Sequence, residues 1–130
     1  MSDYTITVTL DIAPADAEEK VRAALAEQGF GILSEIDVQS ALKDKLGEDV
    51  GPYRILGACN PPLARQAIEA DPDIGALLPC NVLLRGNADG GTDVVAADPM
   101  AMLRMAGDAL SDVGSDARER LERALEGLTQ

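Results

Sequence analysis

Apolar and polar residues alternate from Tyr4 to Ile12. Ile6, Val8, Leu10 and Ile12 fall on one side, Thr5, Thr7, Thr9 and Asp11 on the other. A period of two with threonines opposite aliphatics predicts a half-buried strand. Pro14 opens a helix in its first turn, where a missing N–H costs nothing. Ala17, Val21, Ala24 and Leu25 make its apolar stripe, and Gly29 stops it. Phe30 to Ile36 predicts a second strand, with Phe30, Ile32 and Ser34 on one face. Asp37 caps a short helix bearing Val38, Ala41, Leu42 and Leu46, which Gly47 closes.

Tyr53 to Ala58 predicts a third strand. Asn60 is a good N-cap, and Pro61 and Pro62 fit only a helix's first turn, so a helix follows to about Ala70. Asp71-Pro72-Asp73 reads as a turn rather than a metal site. Pro79 leads a strand through Val82, Leu83 and Leu84. Asn87 to Gly91 is a hairpin turn, and Thr92 to Ala97 is the returning strand. Asp98-Pro99 starts a helix carrying Met100, Leu103, Met105 and Ala106, whose methionines read as core. Gly114-Ser115-Asp116 breaks the pattern, and Ala117 to Leu128 is a last amphipathic helix. One hairpin among helix-linked strands predicts an α+β two-layer sandwich, a mixed sheet with helices packed on it. Its length of 130 residues suits one domain, 1–130.

Composition narrows the function. Aromatics are 2% of the chain, so the core is aliphatic and a base-stacking surface is excluded. The formal net charge is −12, from 23 acids against 11 bases. Nucleic acid and anionic membrane surfaces are poor partners for such a chain. Arginine exceeds lysine and aspartate exceeds glutamate, a balance that resembles salt-adapted proteins. No leader pattern and no membrane span is read, so a cytoplasmic chain with reduced thiols is expected.

Histidine is absent, which removes Ser-His-Asp triads, Cys-His pairs and histidine-ligated zinc. The remaining chemistry lies in two similar dipeptides, Cys59-Asn60 and Cys80-Asn81. Cys59 ends a strand before a capped helix, where the helix dipole would lower a thiol pKa and make a nucleophile or soft-metal ligand. It reads equally as a small buried residue at a strand–helix junction. Cys80 opens an apolar strand and reads first as core. If the strands are neighbours, the thiols could form a disulfide, hold a soft metal, or attack and resolve. Asn60 and Asn81 read as a cap and a strand-edge hydrogen-bonder, or as ligand contacts beside each thiol. Gly57 marks either a close backbone approach or a bulge.

The stretch from Tyr53 to Pro61, with Ala58-Cys59-Asn60-Pro61, and the later Leu77-Leu78-Pro79-Cys80-Asn81-Val82 resemble a family called domain of unknown function 302. Gly29-Phe30, Leu42-Lys43 and Asp98-Pro99-Met100 resemble it too, so the likeness reaches about Leu103. The resemblance implies a compact α+β fold, a homodimer, and Cys59 and Cys80 as the candidate site. It names no cofactor. Two readings follow: a thiol site on Cys59, Asn60, Cys80 and Asn81 for redox chemistry or for a small-molecule or soft-metal ligand, and a non-catalytic dimeric binding or assembly domain with buried structural cysteines.

Overall fold

The computed structural model describes residues 3–129. Five strands, β1 (Thr5–Leu10), β2 (Gly31–Asp37), β3 (Tyr53–Cys59), β4 (Cys80–Gly86) and β5 (Thr92–Ala97), form one sheet in the order β1-β5-β4-β3-β2. The α+β expectation holds. The sheet is antiparallel at each of its pairings, where a mixed sheet was expected. The reason lies in the links. Helices α2 (Val38–Leu46) and α3 (Pro61–Ala70) turn the chain back at the sheet ends, and neither makes a crossover between parallel neighbours.

One face of the sheet packs on α1 (Pro14–Glu27) and α5 (Ser111–Leu128). Val21 and Leu25 from α1 and Leu121 and Leu125 from α5 meet Leu56, Val82, Leu84 and Val94 from the strands. This aliphatic core follows the stripe read from α1 and the last helix. A second, smaller cluster lies at one end of the sheet. There Ala67 of α3, Ile74 of a short 3-10 helix (Pro72–Leu77), Leu103 of α4 (Pro99–Arg104) and Leu110 come together. The turn expected at Asp71-Pro72-Asp73 is the start of that 3-10 helix, with the Asp71 carboxylate accepting from the Asp73 N–H.

Three local expectations are corrected. Ser34 does not share a face with Phe30 and Ile32, because the register shifts between Ile32 and Ser34. The extra residue, Leu33, bulges out and is 70% exposed. Gly114 does not break the last helix, which runs through it from Ser111. It is there because Pro99 and Met100 press on it: a Cβ would lie 3.2 Å from the Met100 sulfur. Met105 lies past the end of α4 and is exposed rather than core.

Candidate functional site

The two cysteine dipeptides arrive at the same end of the sheet. Strands β3 and β4 are direct neighbours, and Ala58 stands opposite Cys80 in their ladder. Cys59 is therefore one residue from Cys80 across the pair. Alternation sends their side chains to opposite faces: Cys80 follows Ala58 toward the helix-covered face, and Cys59 follows Gly57 toward the other. Both thiols are free and half-buried.

Gly57 has the close approach read from sequence. A Cβ there would lie 2.2 Å from Ser34 Oγ and 2.8 Å from Pro79 Cγ. Any side chain would push Pro79 off the sheet and displace the start of β4. The bulge, the other reading of Gly57, is present but belongs to the neighbouring strand β2.

Both thiols open onto one groove of about 470 Å³ that wraps round this end of the sheet. Phe30 and Ala58 contribute from the large core, Ala67, Leu77 and Leu103 from the small cluster. Asn60 and Asn81 also border it. Asn60 is buried and engaged: its Oδ1 accepts from the Leu63 N–H at 3.4 Å, and its Nδ2 donates to the Gln28 carbonyl at 3.4 Å. It caps α3 and clips that helix to the end of α1. Asn81 is exposed, opposite Gly57 in the ladder, and among the described residues has no protein partner for its amide. The cap read from sequence for Asn60 holds, while the strand-edge hydrogen bond read for Asn81 is not made among the described residues.

The expected lowering of the Cys59 pKa is overturned. Burial pushes the Cys59 thiol above its ordinary value. Burial pushes Cys80 up to about 11, and the neighbouring Cys59 adds to that rise. The helix start cannot offset burial, because its donors are spent. Pro61 and Pro62 have no N–H, the Leu63 N–H goes to Asn60 Oδ1, and the Ala64 N–H goes to the Asn60 carbonyl. At neutral pH both groups are thiols, poor nucleophiles and poor resolvers. Among the described residues, no group of three or more Cys, Asp or Glu is placed to hold a metal ion. No helix among them is long and apolar enough to cross a membrane.

A crystal structure described as an uncharacterized conserved protein DUF302 from Bacillus stearothermophilus superposes with a TM-score of 0.89 at 26% identity, covering 96% of this chain and 98% of that one. No curated protein matches. The family model described as Domain of unknown function DUF302 matches residues 6–128, which takes in the last helix that the cysteine motifs alone did not reach. With the cysteine-bearing strand ends and α1 to α5 inside that span, this chain belongs to the DUF302 family.

Proposed function

We propose that the protein binds a small, largely apolar molecule reversibly in the groove at the Cys59–Cys80 end of the sheet, without covalent thiol chemistry. The observation that carries this is the groove itself, about 470 Å³ and walled by aliphatic side chains, where burial raises both thiol pKa values. That volume lies within the range of small-ligand sites, about 300–1,000 Å³. Cys59, Cys80 and Asn81 supply the polar contacts, and Asn60 holds the wall by fixing α3. The redox alternative needs a thiolate, which burial disfavours at both positions.

Titration with the uncharged fluorophore N-phenyl-1-naphthylamine tests this. Saturable enhancement is expected, and Ala64→Trp, which fills the groove from α3, should abolish it. Ala76→Trp, from the 3-10 helix that also lines the groove, guards against a folding defect in the first variant. Undiminished binding in both folded variants would refute the site.

A second observation favours assembly of two copies. On the sheet face turned away from α1 and α5, Ile36, Ile55, Leu83 and Val95 form an apolar row across four strands, and none of them is buried. Beside it the Arg85–Asp93 pair is internally neutral. A chain of net charge −12 repels its copy except where the contact is uncharged, and this row is such a place. A homodimer through this face is the expected partner. Light scattering at micromolar concentration should give twice the chain mass, and Leu83→Glu should return it to one. A single-chain mass for the unsubstituted protein would refute the pairing.

A further inference from the structure

None of the described residues lining the groove is charged, although charged residues make up 26% of the chain. The lining offers only four polar side chains, Cys59, Asn60, Cys80 and Asn81. Asn60 already has both ends of its amide committed to the backbone. Among the side chains of the described residues, that leaves the Asn81 amide as the one uncommitted strong donor and acceptor, at the rim rather than in the depth of the groove.

A ligand charge entering such walls would lose water and gain no counter-ion, a penalty that grows with burial. An uncharged polar head at the rim would instead meet a group that both donates and accepts. From the absence of any charged group in the groove and the free Asn81 amide at its edge, we infer that the ligand is an uncharged molecule with an apolar body and one hydrogen-bonding head of amide, hydroxyl or carbonyl type. This rests on the groove being a ligand site. It also runs against the long-range field, since a chain of net charge −12 would draw in cations first.

Competition against N-phenyl-1-naphthylamine with three ligands of one chain length, octanamide, octanoate and octylammonium, tests it in low salt and in 1 M sodium chloride. Octanamide should displace the fluorophore best under both conditions. The two charged ligands should remain weaker by about tenfold or more in 1 M salt, where fields between exposed charges fade within about 3 Å. Asn81→Ala should weaken octanamide several-fold more than it weakens the fluorophore. Octanoate or octylammonium matching octanamide in 1 M salt would overturn the inference while the groove remains a site. Failure of the fluorophore to bind, or undiminished binding in both groove-filling variants, would overturn the groove reading and this inference with it.

Discussion

The two ends of strand β3 use the same kind of space in opposite ways. At its start, Arg54 reaches from the helix-covered face into a cluster with Glu18, Arg22 and Glu35. Arg54 Nε donates to Glu18 Oε1 at 2.6 Å, Arg22 Nε donates to Glu18 Oε2 at 3.1 Å, and Arg22 also pairs with Glu35. Burial alone would raise the Glu18 carboxyl, but the hydrogen bonds from Arg54 and Arg22 outweigh it and hold the pKa below its ordinary value. The cavity beside this cluster, about 320 Å³, is lined by Glu18, Asp37 and Arg54. At the other end of the strand, the groove at Cys59 contains no charge. At the charged end both guanidinium groups, Arg22 and Arg54, are matched by carboxylates at contact distance. The neutral end keeps apolar surface and one free amide open to a visitor. A cavity on its own does not mark a site; what counts is whether its polar groups are already satisfied by one another.

Placing a charge at the neutral end should have the largest effect. Cys80→Asp puts a carboxylate where even a thiolate is disfavoured, and should cost about 3 kcal/mol at pH 7 relative to the unsubstituted protein. Its folded pKa will exceed the unfolded one, so the cost must shrink as pH falls and the carboxyl takes up its proton. Urea unfolding at pH 4 and pH 7 separates the cases; an equal loss at both would mean that shape and not charge is responsible.

The native thiol makes a gentler version of that experiment. Cys80 is raised from 9.0 to about 11 in the folded state, so its contribution is fully present below about pH 9 and is lost as pH rises through about 11. A gap of two units corresponds to at most just under about 3 kcal/mol. The stability difference between the unsubstituted protein and Cys80→Ala should therefore narrow between pH 9 and pH 11. A constant difference over that window would contradict the assigned burial.

Removing a charge from the other end should cost less. Glu18→Gln breaks the hub of a partly exposed network, for an expected loss of about 1 kcal/mol near neutral pH. The folded Glu18 pKa is lowered, so its advantage exists above the ordinary value of 4.5 and fades as pH falls through the folded value. Denaturant midpoints for the pair of proteins should converge in acid. A persistent gap there would assign the loss to packing.

Salt should give the smallest change and again split the two ends. Screening repulsion on a surface of net charge −12 should raise the melting temperature by about 5 °C between 0.01 M and 1 M sodium chloride, roughly 1 kcal/mol for a chain of this size. Fluorophore affinity at the uncharged groove should stay constant over the same range. A flat or falling melting temperature would show that the acidic surface is no net burden.

Local signals carried most of the elements. Asn60 with Pro61 and Pro62, Asp98 with Pro99, and Asp37 with Gly47 each mark a helix end through groups within a few residues, and each cap is where the sequence puts it. Gly114 misled because a glycine inside a helix normally signals a break. Here it answers a close approach by Met100, which lies 14 residues earlier and is brought in by the fold. The proline pair before Leu63 also held, unread, the reason why Cys59 is not activated: residues without N–H groups cannot stabilise a thiolate.

The α+β class, the aliphatic character of the core and the strand alternation of Ile6 to Leu10 were legible in the sequence. These follow from side-chain period and backbone capping, which act over a few residues. The tertiary structure alone decided that the sheet is wholly antiparallel, that Cys59 and Cys80 are ladder neighbours directed to opposite faces, that Asn60 is spent on a clamp while Asn81 is free, and that the groove between them is uncharged. Those facts depend on which strands pair and in what register, and residues 21 positions apart meet only after the long-range packing of α3, α4 and α5 has closed that end of the sheet.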